Sequence, residues 1–219
     1  MIIVVGGIKG GCGKSTTLTH LATASAVQGR RVLIVDTDTQ ASLMSWAEAR
    51  ATTAETTTLT PITTVAIRGN HTGSEIAKLA PSYDDVFVDA GGRDTASQRS
   101  ALVVADRFLT LFAPRAQDLW TADLAAEMLR GAQAVNSKLT AIAALNRADS
   151  RGNRNDVAAA LLAEHASILP LAAVRIGDRR ALAMLFPDGL GIAEKPKLDP
   201  KALAEITELL KLLRGGSEC

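Results

Sequence analysis

Cysteine is scarce in this chain, and with it everything that would hold a disulfide framework or a metal cluster. Only Cys12 and Cys219 occur among 219 residues, at opposite ends, so neither a set of bridges nor a four-ligand thiolate site can be built. An iron–sulfur cluster finds no cysteine pair. That scarcity fits a reducing cytoplasm. The three histidines, His20, His71 and His165, share no metal-ligand spacing. Charge of one sign is lacking too: 24 Lys and Arg against 23 Asp and Glu give a net charge of +1. Bulk electrostatics therefore recruit neither nucleic acid nor membrane, and such a role must come from a local patch. There is no long apolar run either. The opening MIIVVGG has no basic n-region and is far too short for a signal segment or a span, so it reads as a first strand. No repeat and no linker divides the sequence, which predicts a single domain over 1–219.

What the chain does have is apolar residues, 47% of the total, enough for a substantial core. Runs at 2–5, 32–36, 86–89, 108–113 and 139–145 are short, apolar almost throughout and without polar alternation. Strands buried on both faces of a parallel sheet look like this. Weaker strand candidates are 62–67 and 168–174. Helical patterns fill the gaps, at 15–27, 41–51, 72–79, 118–134, 155–165, 178–185 and 200–213. The alternation predicts an α/β fold: a doubly wound, mostly parallel sheet of about seven strands with helices on both faces, and ligands at the strands' carboxyl ends. Residues 51–60, with six threonines, read as a polar connection, and 215–219 as a frayed end. Trp46 and Trp120 fall on helical patterns as packing residues.

The first strand runs into Gly6-Gly7-Ile8-Lys9-Gly10-Gly11-Cys12-Gly13-Lys14-Ser15-Thr16. Glycines at 10, 11 and 13 let the backbone curl so that several N–H groups face one anion, and the helix that follows adds its positive end. This is a phosphate loop, with Lys14 for the β/γ-phosphates and the Ser15 hydroxyl for Mg²⁺. Ile8 departs from the strict pattern, which has glycine there. Cys12 fills a variable position and reads as packing. Two further strands end in carboxylates: Asp36-Thr37-Asp38 after 32–35, and Asp89-Ala90-Gly91-Gly92 after 86–88. Carboxylates beside a triphosphate loop hold a metal shell and an attacking water.

The run Lys9-Gly10-Gly11-Cys12-Gly13-Lys14-Ser15 resembles the deviant Walker A motif of the ParA/MinD family of ATPases. Asp36, Asp38 and Gln40 resemble its Walker A′ motif, with Thr39 in place of the usual proline. Asp89 matches Walker B, with Gly91-Gly92 where many relatives have two prolines, and Tyr83-Asp84 echoes a family run. The resemblance implies that Lys9 crosses a dimer interface to the partner's nucleotide, offsetting charge as an arginine finger does. It implies that Asp38 positions the hydrolytic water, while Asp36 and Asp89 support Mg²⁺ through water. It makes Asn146 the base reader, with Arg147 beside it, although Asn146-Arg147-Ala148-Asp149 also resembles the guanine-selecting N-K-x-D. Nucleotide contacts would then come from Lys9, Gly10, Gly11, Cys12, Gly13, Lys14, Ser15, Thr16, Asn146 and Arg147.

Among its members the chain is most similar to short ParA-type partition ATPases. No helix-turn-helix domain is expected ahead of the loop. The resemblance implies an ATP-bound homodimer that coats DNA non-specifically at the nucleoid, and a ParB-like adaptor that stimulates weak hydrolysis. Arg175, Arg179, Arg180, Lys195 and Lys197 are the candidate phosphate contacts on DNA. Two other members of the family stay open as readings: a MinD-like membrane positioner and a metabolic ligase. A terminal amphipathic helix binds lipid in MinD, but the stripe Leu203, Ile206, Leu209, Leu210 and Leu213 is expected to be core, and no membrane is expected as partner.

Overall fold

Strands without polar alternation must be covered on both faces. The computed structural model, which describes residues 1–92 and 95–215, shows how this is done. Seven parallel strands lie in the order β3-β2-β4-β1-β5-β6-β7. They are β1 (Ile2–Gly6), β2 (Val32–Asp36), β3 (Thr63–Ala66), β4 (Asp85–Asp89), β5 (Arg107–Phe112), β6 (Thr140–Ala148) and β7 (Leu171–Gly177). Alternate side chains leave each strand in opposite directions. Ile3, Val5, Ile34 and Leu109 meet α1 (Lys14–Val27), α2 (Ser42–Ala54), α8 (Arg180–Leu185) and α9 (Pro200–Leu213). Val4, Leu33, Val35 and Phe108 meet α3 (Thr72–Leu79), α4 (Ala96–Val104), α6 (Ala122–Val135) and α7 (Arg154–Ala163). The doubly wound α/β fold read from the sequence is the fold observed.

Helix α1 leads away from the phosphate loop and is buried on nearly every side, from Thr17 to Ala26. Its small Ala, Ser and Thr residues allow that close approach. The hydroxyls that would otherwise be stranded turn back on the helix, Thr19 Oγ1 donating to the Thr16 carbonyl (2.8 Å) and Thr23 Oγ1 to that of His20 (3.1 Å). His20 itself is fully buried. Its Nδ1 accepts from the Ile192 N–H (3.0 Å) and its Nε2 donates to the Leu182 carbonyl (3.0 Å), tying α1 to the C-terminal segment. Burial holds its pKa down at about 4, against which the Leu182 bond pulls only weakly.

Four expectations are corrected. The helix expected over 118–134 is broken into a short α5 (Ala116–Leu119) and α6, with Thr121 closing a tight turn onto the Asp118 carbonyl (2.7 Å). Helix α2 runs on to Ala54, into the threonine-rich stretch expected to be a connection. Strand β7 begins three residues later than the apolar run suggests, because it is an edge strand whose outward residues are exposed. Helix α4 is absent from the sequence reading altogether. The frayed end expected over 215–219 lies, from 216 onward, outside the described residues.

Candidate nucleotide site

Because β2, β4, β1, β5 and β6 are neighbours in that order, the loops leaving their carboxyl ends form one continuous rim. Along it stand Asp36 and Asp38, then Asp89, the phosphate loop, Asp118, and Asn146. Residues more than a hundred positions apart are thus assembled by strand order alone. A cavity of ≈ 590 Å³ opens between the loops after β1, β2, β3 and β4, lined among others by Gly10, Asp38, Arg68, Gly91 and Ser97.

The loop after β1 is built on glycine. Gly11 and Gly13 have φ of 86° and 89°, a region that residues with a β-carbon avoid, and Gly13 caps α1. A β-carbon at Gly13 would also lie 2.5 Å from Asn146 Nδ2. Lys14, the first residue of α1, is buried, and its Nζ donates to the Lys9 carbonyl (2.6 Å) within its own loop. Cys12 is packed inside, and burial raises its thiol pKa against the pull of Lys14, which disfavours the thiolate. Lys9 has a different address. Its side chain is 38% exposed and its Nζ meets Asp118 Oδ1 at 2.5 Å, with Gln117 Oε1 at 3.5 Å. Asp118 went unremarked in the sequence as a site residue, since only the fold brings α5 to the loop.

Ser15 Oγ donates directly to Asp89 Oδ2, and Asp36 lies opposite Asp89 in the β2–β4 register. Burial raises the Asp89 pKa, with Asp36 adding to the effect, while Ser15, the Gly91 N–H (3.1 Å) and Lys14 oppose it. Asp36 is fully buried and already engaged: Oδ2 caps α2 by accepting from Leu43 N–H (3.0 Å) and Met44 N–H (3.2 Å), and Oδ1 accepts from Asp38 N–H (3.0 Å). Its first task is thus to fix the turn that carries Asp38. The hydroxyl and the carboxylates are hard oxygen donors, which fits Mg²⁺. Among the described residues no group of three or more His, Cys, Asp or Glu could hold a metal ion by itself. Mg²⁺ fits that description as well, since it is usually held by one or two carboxylates with water and substrate phosphates.

Asn146 pairs with Ile176 near the end of β6, and the ladder to β7 shifts register between Asn146 and Ala148. Arg147 sits in that irregularity at φ 52°, an uncommon conformation for a residue with a side chain, and is exposed beside Gly13. The Asn146 amide donates to the Cys12 carbonyl (2.6 Å), so its observed role is to anchor the phosphate loop. Its carboxamide oxygen is the atom that could accept from an exocyclic amino group of a base.

The basic residues of the C-terminal third do not form one set. Arg179 is spent inside the protein, on Glu205 (2.6 Å) and Asp199 (3.4 Å), and is corrected out of the candidate DNA contacts. Arg175 pairs with Asp156 (2.8 Å) at the sheet edge. Arg180, Lys195 and Lys197 are exposed. In α9, Ile206, Leu209, Leu210 and Leu213 are buried against the core, as expected of a packing stripe. Among the described residues no helix is long and apolar enough to cross a membrane.

Fold and loop together define a phosphate-loop nucleotide-binding protein. Residues 3–185 match the family described as the CobQ/CobB/MinD/ParA nucleotide binding domain, and the chain belongs to that family. The chain is 32% identical over 152 residues to the maintenance of carboxysome distribution protein A of Halothiobacillus neapolitanus, spanning 68% of this chain and 67% of that one. It is 33% identical over 121 residues to protein ParA of Rhizobium radiobacter, spanning 53% of this chain and 50% of ParA. Among solved structures, the Cyanothece McdA–ATP complex superposes with a TM-score of 0.73 over 100% of this chain and 97% of that one, at 15% identity, which speaks to fold alone. The protein is a ParA/MinD-type ATPase of the partition and positioning group.

Proposed function

We propose that this protein is a DNA-partition ATPase that closes into a sandwich dimer on ATP and Mg²⁺. The observation that carries the reading is the divergence of two lysines in one loop. Lys14 is buried on its own loop, whereas Lys9 stands at the surface on Asp118 and is free to exchange that carboxylate for the phosphates of a second protomer. In this reading the loop amides and Lys14 bind the triphosphate, and Asp38 holds the attacking water. Lys9 of the partner protomer offsets charge on the phosphates, and Asn146 and Arg147 flank the base. Ser15, with Asp36 and Asp89 through water, would hold Mg²⁺, which would supply positive charge to offset that of the phosphates. The dimer binds DNA non-specifically through Arg180, Lys195 and Lys197, so the protein is cytoplasmic and nucleoid-associated, and a ParB-like adaptor stimulates hydrolysis. The similarity to ParA supports partition over a membrane role, as does the burial of the α9 stripe that a lipid anchor would need.

Mixing Lys9→Ala with Asp38→Ala chains tests the arrangement. In one site of the mixed dimer the Asp38 comes from the Lys9→Ala chain and the lysine from its partner. Hydrolysis absent from each variant alone should reappear in the mixture. A mixture that stays inactive although heterodimers form would confine Lys9 to its own protomer.

A further inference from the structure

The residues bearing Asp38 form a β-turn over 38–41, closed by the Ala41 N–H on the Asp38 carbonyl (3.2 Å). The second position of such a turn sets its geometry, and proline is favoured there because its ring presets φ. This chain has Thr39, and the hydrogen bonds of the turn do not use the Thr39 N–H. A second device holds the turn instead. The Ile67 N–H on the Asp36 carbonyl (3.0 Å) extends the β2–β3 ladder one residue beyond β3, which fixes the next residue, Arg68, beside the turn. Arg68 Nε then donates to the other lone pair of the Asp38 carbonyl (3.1 Å). The Asp38 carboxylate is set from the remaining sides: Oδ1 accepts from the Gln40 N–H (3.0 Å), and a β-carbon at Gly91 would stand 2.8 Å from Oδ2. Arg68 and Asp38 line the same cavity.

We infer that Arg68 is a positioning residue, an external brace that holds the unstiffened turn so that the Asp38 carboxylate stands where the attacking water is to be held. The inference rests on the proposed role of Asp38. Basal single-turnover ATP hydrolysis, ATP affinity and deuterium uptake across 37–41 are to be compared in wild type, Arg68→Ala, Arg68→Ala with Thr39→Pro, and Asp38→Ala. Arg68→Ala should hydrolyse about tenfold or more slowly, since small misplacements of reacting groups cost up to about a hundredfold. Its ATP affinity should be unchanged and its turn should exchange faster. Thr39→Pro in that background should restore rate and protection, because it supplies stiffness and no charge. If Arg68→Ala fails to fold, Arg68→Gln carries the same comparison. Wild-type rate and exchange in the Arg68 variant overturn the brace. So does a loss of ATP affinity that Thr39→Pro cannot mend, which would make Arg68 a phosphate contact. Full activity in Asp38→Ala sinks the underlying reading of the site. An inactive Asp38→Ala beside a fully active Arg68→Ala sinks the brace alone.

Discussion

At the scale of single residues, the loop after β1 separates two cations that sequence alone lists side by side. Lys14 is the buried charge on the Lys9 carbonyl of its own loop, and phosphates would take over from that carbonyl. Replacing it with alanine removes the main side-chain charge on the nucleotide, and each charge-assisted contact is worth about 1.5–3 kcal/mol. Lys14→Ala should therefore lose ATP affinity by well over about tenfold, read by isothermal titration; undiminished affinity would move the phosphate site. The glycines, Lys14, Ser15 and Asp89 were legible in the sequence because a phosphate loop and its acidic strand ends are local patterns. The Lys9–Asp118 pair and the capping of α2 by Asp36 were not, because both depend on which loops the sheet brings together.

At the scale of elements, the C-terminal arginines divide by what their helices need. Arg179 joins β7 and α8 to α9 through Glu205, which also accepts from the Gly177 N–H (3.1 Å). Arg179→Ala should destabilise the fold by about 1–3 kcal/mol, because it leaves a largely buried carboxylate without its cation. Arg180→Ala, Lys195→Ala and Lys197→Ala should leave stability within about 0.5 kcal/mol. Each should instead weaken ATP-dependent DNA binding equally across sequences and make its salt slope shallower by about one. Denaturant titration and DNA binding at several salt concentrations separate the two classes. Elements were legible to the extent that their packing was symmetrical. The central strands, apolar on both faces, were read directly, whereas β7 was misplaced because edge strands alternate. Helix α4 did leave a signal, Thr95-x-x-Gln98 at its start, with Thr95 Oγ1 accepting from the Gln98 N–H (3.1 Å).

At the scale of the whole molecule, α1 is the spine between the phosphate loop and the C-terminal segment, and His20 is a buried titratable tie between α1 and that segment. A histidine buried neutral, with a folded pKa of about 4 against an ordinary 6.5, binds fewer protons folded than unfolded. Its contribution is complete above pH 6.5 and is lost as pH falls from there toward 4. Between pH 7.5 and 4.5 this amounts to about 2–3 kcal/mol at 1.36 kcal/mol per pKa unit. Urea unfolding of wild type and His20→Gln at those two pH values should show the variant losing that much less stability on acidification; parallel losses would put the acid sensitivity elsewhere. Strand order has one more outcome. With β4 beside β1, a β-carbon at Gly92 would come within 2.6 Å of the Gly10 nitrogen, and Gly91 holds φ at 70°. Two prolines at these positions, which the family resemblance would suggest to a consensus engineer, would drive a wedge between two closely fitted loops. In this chain the glycine pair and the shape of the phosphate loop are one fitted unit.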